Sequence, residues 1–118
     1  MFAGKVIAIT GASEGIGAEL ARQVSGKGVW LALAARNLAK LEAVAAECRA
    51  LGAEAIAIRC DVRVDADCRY FIEETVRKYS SLDILVNNAG VSGHARFEEV
   101  SDFGWYEDLM RVNYMRSE

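Results

Sequence analysis

The chain has 118 residues, of which 53% are hydrophobic and 26% are charged, and its formal net charge is −3. This length suits one ordinary domain, the composition excludes a disordered or collagen-like chain, and the negative charge argues against a general nucleic-acid binder. The longest unbroken apolar run, residues 29–35, is too short to span a bilayer. No signal-peptide pattern precedes it, and the three cysteines form no C-x-x-C, which favours reduced, packed thiols. We therefore expect a cytoplasmic protein that binds neither nucleic acid nor membrane and holds no metal.

Apolar runs alternate with helical patterns along the whole chain, so the sequence predicts strands that are each followed by a helix. The predicted strands are residues 5–10, 29–34, 55–59 and 83–87. The predicted helices begin near residues 15, 37, 65 and 101. We expect Asn37 and Asp65 to cap the second and third helices and Gly52 to end the second. The first helix is predicted to reach about residue 27, with the apolar residues Ile16, Leu20 and Val24 spaced four apart along it.

Strands joined by helical crossovers of this length form a parallel sheet with helices on both faces. The expected fold is therefore an α/β, Rossmann-like, doubly wound sheet with the strand order 3-2-1-4. In such a sheet the ligand crevice lies at the carboxyl ends of the first and fourth strands, where the winding reverses.

The first predicted strand runs directly into a glycine-rich turn, residues 10–17, with the spacing G-x-x-x-G-x-G. Gly11 allows the tight turn, Gly15 lets a pyrophosphate approach the backbone, and Gly17 lets the helix pack close to the sheet. The free N–H groups at the start of the helix would face the phosphates. A turn without any ligand is the alternative, but the motif stands at the first strand–helix junction, where phosphate binding needs it.

The end of the second strand bears on the choice of dinucleotide. An acidic residue about 20 positions after the glycine turn ordinarily holds the ribose 2′-hydroxyl. This chain has Arg36 there and no acid. A guanidinium can bind a 2′-phosphate with two parallel hydrogen bonds, so the sequence predicts a preference for NADP(H) over NAD(H). A solvated arginine at a helix start is the alternative.

Three further polar signals follow later in the chain. Asp61 comes directly after the third strand, where it could accept a hydrogen bond from an adenine amino group or form a turn. The fourth strand ends in Asn87-Asn88-Ala89-Gly90, which suits a backbone that passes close to a ligand, or a simple polar turn. Asn113 shares a predicted helix face with apolar residues, so its amide needs a partner, and a structural partner is the commoner case.

Together these motifs resemble the short-chain dehydrogenase/reductase family, in the right order and over nearly the whole chain. The resemblance implies that Thr10 and Asn87 brace the sheet, and it gives Asn113 a catalytic role in orienting a water of a proton relay. It implies that the dinucleotide is bound by Gly11, Ser13, Gly15, Ile16, Gly17, Arg36, Asp61, Val62, Asn88, Ala89 and Gly90.

The chain departs from this family in its catalytic residues. Members of the family transfer hydride between the cofactor and a ketone or secondary alcohol, using a serine and a Tyr-x-x-x-Lys. None of the four tyrosines here is followed by a lysine four residues later. Family members are about twice as long, with two βαβαβ halves. We therefore expect residues 1–118 to be an incomplete dinucleotide-binding domain, truncated before the catalytic residues, inactive alone and acting on a substrate only within a full-length parent.

A different class of function remains open from the sequence. The fourth strand is apolar on both faces, and with four strands it would be an exposed edge. The chain could therefore be a non-catalytic module that binds nucleotide or self-associates. We expect a homo-oligomer, or a complementing chain, at the edge of the fourth strand.

Overall fold

The computed structural model describes residues 2–88, which form a parallel sheet flanked by helices. The elements in chain order are β1 (Val6–Thr10), α1 (Gly15–Val24), β2 (Trp30–Ala35), α2 (Leu38–Ala50), β3 (Glu54–Arg59), α3 (Asp65–Tyr79) and β4 (Ile84–Val86). The strand order is β3-β2-β1-β4, and all three strand pairs are parallel. This confirms the predicted fold and strand order. The helix predicted from residue 101 lies outside the described residues.

The sheet is covered on both faces because the side chains of its central strands alternate between two apolar layers. Every residue of β1 is buried, as is β2 after its first residue. Alternate residues pack with the helices α1 and α2 on one face and with α3 on the other. The first layer includes Ile7, Ile9, Leu31 and Leu33, and the second includes Val6, Ala8, Phe71 and Ile72.

Strand β4 lies at one edge of the sheet, where it pairs only with β1 among residues 2–88. Its middle residue, Leu85, is buried, and Ile84 and Val86 are half-buried. The association predicted at this edge stays a prediction.

The three cysteines, Cys48, Cys60 and Cys68, are buried thiols, as their spacing predicts. Within the described part of the chain, no three His, Cys, Asp or Glu side chains gather as metal ligands would. No helix there is long and apolar enough to cross a membrane.

The apolar spacing of Ile16, Leu20 and Val24 predicts the buried face of α1 only in part, because Leu20 and Val24 pack against the core but Ile16 does not. The helix buries Gly17, Ala18 and Ala21, whereas Ile16 is 78% exposed. The close approach of α1 to the turn after β1 leaves room only for small side chains. The helix also ends at Val24 rather than near residue 27, because Ser25 is extended and its hydroxyl donates to the Ala21 carbonyl at 2.7 Å.

The predicted caps of α2 are confirmed and that of α3 is wrong. The Asn37 side chain accepts a hydrogen bond from the Lys40 N–H at 3.1 Å, and Gly52 follows the end of α2 with a φ of +110°. Helix α3 has Val64 rather than Asp65 at its N-cap, without a side-chain hydrogen bond. Asp67, one turn into α3, instead accepts the Asp61 N–H at 2.9 Å and ties the helix to the end of β3.

The pairing of β1 with β4 is reinforced by side chains at both ends. The buried Thr10 hydroxyl donates to Asn87 Oδ1 at 3.0 Å and accepts the Asn88 N–H at 2.8 Å. At the other end Asp83 Oδ2 accepts the Val6 N–H at 2.8 Å. These bonds hold a three-residue strand in register, and they confirm that Thr10 and Asn87 brace the sheet.

Replacing Thr10 by valine keeps the shape of the side chain and removes both hydrogen bonds. We expect this to lower the free energy of unfolding by about 2 kcal/mol, because the loss leaves polar groups at the β4 end without their partner. Urea denaturation of the chain measures the change. The matched control is Thr75→Val, which removes another buried hydroxyl that bonds only the Phe71 carbonyl of its own helix. Equal losses for the two variants would contradict the bracing role of Thr10.

Candidate functional site

A cleft of about 740 Å³ opens at the carboxyl ends of the strands. All four strand ends contribute to it, as expected where the winding of a doubly wound sheet reverses. The lining residues after β1 are Gly11, Ser13 and Glu14, and those at the end of β2 are Ala35, Arg36, Asn37 and Lys40. The residues after β3 are Cys60, Asp61, Val62 and Arg63, and Asn88 follows β4.

The glycine turn gives an anion open access to the start of α1. Gly11 and Gly15 have φ values of +63° and +61°, a conformation that favours glycine. A Cβ on Gly15 would meet nothing within 4 Å, so the backbone faces open space. The N-cap residue, Glu14, makes no side-chain hydrogen bond to the first turn of the helix. The N–H groups there lack a capping carboxylate, and the helix start therefore suits a phosphate group.

Gly17 lies where the start of α1, the turn after β1 and the end of β4 meet. A Cβ there would lie 2.1 Å from the carbonyl oxygen of Gly11 and 2.6 Å from Nδ2 of Asn88. Only a residue without a side chain lets α1 approach the turn and the end of β4 together. Gly17 thus sets the spacing of the elements around the cleft but does not line it.

One wall of the cleft is basic. Arg36 follows β2 directly and is exposed, and among residues 2–88 its guanidinium forms no ion pair. Lys40, in the first turn of α2, extends its Nζ to 2.9 Å from Oε1 of Glu14. Arg36 is therefore the cation of this wall that has no carboxylate partner in the described chain.

The opposite corner is built around Asp61. Its Oδ1 accepts hydrogen bonds from the backbone N–H and the Nε of Arg63, and its Oδ2 accepts one from Nη2, each at 3.0 Å. These bonds, with a smaller contribution from the charge of Arg36, lower the pKa of Asp61 to about 2. The bond to the backbone of Arg63 is the turn-forming role that the sequence left open beside the adenine-binding one. The carboxylate stays ionised and remains an acceptor for a further donor.

The structure brings most of the predicted binding residues together. Those that line the cleft are Gly11, Ser13, Arg36, Asp61, Val62 and Asn88. Gly15 and Ile16 lie at the adjoining start of α1, and the exposed Ile16 side chain stands beside the cleft without lining it. Residues outside the described part of the chain are Ala89, Gly90 and Asn113.

Sequence reasoning missed three charged residues of the cleft, namely Glu14, Lys40 and Arg63. Lys40 lies four residues after Arg36, and this spacing around the helix start was a usable signal. Arg63 stands two residues after Asp61, within reach of a turn carboxylate. Glu14 occupies a variable position of the glycine motif, and nothing in the sequence alone places it opposite Lys40.

A family model described as short chain dehydrogenase matches residues 5–116. The 11-beta-hydroxysteroid dehydrogenase A of Sesamum indicum is 42% identical over 113 residues, which are 95% of this chain and 32% of that protein. The 11-beta-hydroxysteroid dehydrogenase of Pinus massoniana is 42% identical over 115 residues, 97% of this chain and 32% of that protein. The chain spans about a third of the length of these relatives.

Solved structures of similar fold include proteins with either nicotinamide cofactor. A metagenomic short-chain oxidoreductase in complex with NADP is 40% identical, with a TM-score of 0.71 over 76% of this chain and 41% of that one. A short chain dehydrogenase/reductase of Burkholderia phymatum in complex with NAD is 28% identical, with a TM-score of 0.77 over 86% of this chain and 44% of that one.

Replacing Gly17 by alanine tests the close contact beneath the cleft. We expect the free energy of unfolding to fall by about 2–3 kcal/mol, because the added methyl must displace backbone at Gly11. Gly15→Ala should cost about 1–2 kcal/mol, from its positive φ alone. The control is Gly26→Ala, where a Cβ meets nothing within 4 Å and φ is ordinary. Urea denaturation gives the three values, and a Gly17→Ala variant as stable as Gly26→Ala would refute the contact.

The pairing of Asp61 with Arg63 predicts a pH dependence. The pKa of Asp61 is depressed from 3.8 to about 2, so its stabilising contribution is present above pH 3.8 and is lost as the pH falls through 2. Arg63→Gln should raise the pKa of Asp61 part of the way toward 3.8 and reduce this contribution, because the backbone N–H of residue 63 still donates to Oδ1. The titration of the Asp61 carboxyl carbon by NMR measures the change. Arg77→Gln, which breaks the remote pair with Glu74, should leave the pKa of Asp61 unchanged.

Proposed function

The chain belongs to the short chain dehydrogenase family, and we propose that residues 1–118 form the NADP(H)-binding part of an oxidoreductase. The reaction is hydride transfer between a nicotinamide cofactor and a ketone or secondary alcohol. The observation that carries this proposal is a cleft in which an open helix start, an arginine without an ion pair among residues 2–88 and an ionised aspartate lie at adjoining strand ends.

The residues of the cleft fit the parts of a dinucleotide. The backbone from Ser13 to Gly17 would hold the diphosphate, because glycine leaves the N–H groups accessible. Asp61 and Val62 would border the adenine. Asn88, which lines the cleft, and the neighbouring Ala89 and Gly90 would border the rest of the cofactor. Thr10 supports this end of the site by fixing the Asn88 backbone.

The preference for NADP(H) rests on Arg36. The similar solved structures include a complex with NADP and two with NAD, so they support a nicotinamide cofactor without choosing between the two. In this chain no carboxylate follows β2 to accept a ribose 2′-hydroxyl, and Arg36 faces the cleft without an ion pair among residues 2–88. A guanidinium in that position favours the additional 2′-phosphate.

The cofactor, when bound, supplies or accepts the hydride, and the chain's own residues bind and orient it. Asn113 is proposed to orient a water for proton transfer. The 118 residues contain no Tyr-x-x-x-Lys that could donate the proton to a substrate oxygen. We therefore propose that they bind cofactor without turning over a ketone.

Replacing Arg36 by alanine tests the proposed cofactor preference. We expect the affinity for NADPH to fall about tenfold to a hundredfold and the affinity for NADH to change little, because one charge-assisted pair to the 2′-phosphate is lost. Isothermal titration calorimetry on the chain measures both. Arg59→Ala is the matched control, since Arg59 is an exposed arginine at the end of β3 that does not line the cleft.

Equal affinities of the unmodified chain for NADPH and NADH would contradict the preference. Binding of neither cofactor would contradict the proposed function itself. The same samples, mixed with NADPH and a ketone, should show no loss of NADPH absorbance.

A further inference from the structure

Glu14 and Lys40 form an ion pair across the cleft that the proposed binding roles leave unexplained. Lys40 Nζ lies 2.9 Å from Glu14 Oε1, and the two residues are 26 positions apart. Glu14 belongs to the glycine turn after β1, whereas Lys40 belongs to the first turn of α2. Their pairing joins the segment expected to bind diphosphate to the segment that carries Arg36.

This ion pair contributes little to the fold. The Lys40 and Glu14 side chains are 58% and 72% exposed, and exposed ion pairs are weak because water and salt screen them. The hydrogen bond from Lys40 lowers the pKa of Glu14, so the Glu14 carboxylate is charged at neutral pH. The effect of the Glu14–Lys40 ion pair is therefore electrostatic and local to the cleft.

The charge of Glu14 is unfavourable for an anionic ligand. It stands between Ser13 and Gly15, the residues whose backbone would meet phosphate, and a carboxylate there repels a polyanion. The Asp61 charge, by contrast, is neutralised by Arg63 at the other corner. With each carboxylate paired to its own cation, Arg36 supplies the net positive charge of the lining residues.

We propose that Lys40 is a specificity-determining residue that neutralises Glu14 and thereby lets the cleft accept the additional 2′-phosphate of NADP(H). The inference rests on the proposed function and goes beyond it, because it assigns selectivity to a pair of residues rather than to Arg36 alone. Removal of Lys40 leaves the Glu14 carboxylate uncompensated near Arg36. Removal of Glu14 frees the Lys40 ammonium to attract phosphate.

The test is a double-mutant cycle on the 118-residue chain with Lys40→Gln, Glu14→Gln and the double variant, titrated with NADP⁺ and NAD⁺. Lys40→Gln should weaken NADP⁺ binding about fivefold and NAD⁺ binding less, and Glu14→Gln should strengthen NADP⁺ binding about threefold. The double variant should return close to the unmodified ratio of the two affinities. Raising the salt concentration should shrink each effect.

The matched controls change the same charges away from the cleft. Glu42→Gln removes an exposed acid of α2, and Lys78→Gln removes an exposed lysine of α3, neither of which lines the cleft. Both should leave the ratio of NADP⁺ to NAD⁺ affinity unchanged. Urea denaturation verifies that each variant is folded, and if one of the two single variants is not, the other decides the inference by itself.

The outcomes separate this inference from the proposed function. If the unmodified chain binds neither dinucleotide, the proposed function fails and the inference fails with it. If NADP⁺ binds and depends on Arg36, but Lys40→Gln and Glu14→Gln leave the affinity ratio unchanged, the inference alone is overturned. Equal losses of affinity for NADP⁺ and NAD⁺ in Lys40→Gln would also overturn the inference, since Lys40 would then act on the diphosphate that both cofactors share.

Discussion

The close contact at Gly17 is the constraint on which the rest of this structure depends. It brings the start of α1 against the carbonyl of Gly11 and the amide of Asn88, so one residue sets the distances among β1, α1 and β4. Thr10 then fixes the backbone of Asn88 from the strand side. The two contacts act together: the first positions the helix start that would bind phosphate, and the second positions the strand end that borders it. A cleft with walls from four strand ends is the result.

Charge pairing is the basis of the selectivity proposed for this cleft. Each carboxylate of the cleft is paired with a cation: Asp61 with Arg63 of its own turn, and Glu14 with Lys40 of the next strand–helix junction. Pairing keeps the acids from repelling an anion while leaving Arg36 to attract one. In the proposed function, the arrangement of these five side chains decides which dinucleotide the cleft prefers.

The fold could be read from the sequence because strand periodicity and crossover length constrain the topology strongly. The strand order and the bracing by Thr10 and Asn87 were both predicted correctly. The exposure of Ile16 on α1 was not, since helical spacing alone cannot reveal that Gly17 brings the helix too close for Ile16 to be buried. The cap of α3 was also predicted wrongly. In the folded chain the Asp61 N–H donates to the Asp67 side chain across a turn, and the sequence alone does not show this contact.

The candidate site was predictable where a sequence motif by itself implies a binding role. The glycine turn, Arg36 and Asp61 each have a position that chemistry requires, and the structure brings them to one cleft. The pair Glu14 and Lys40 was not predictable, because its members come from different strand–helix junctions and meet only once β1 and β2 are paired. Long-range electrostatics of this kind depends on the register of the sheet.

The most direct test of the account follows the backbone amide signals of the ¹⁵N-labelled chain by NMR during titration with NADP⁺. The account predicts that the amides of residues 13–17, Arg36 and Asp61 shift together with one dissociation constant. With NAD⁺, the shift at Arg36 should be much smaller than those at residues 13–17. Shifts confined to other parts of the chain, or an Arg36 signal that responds equally to both dinucleotides, would contradict the central claim that this cleft binds a dinucleotide and recognises its 2′-phosphate.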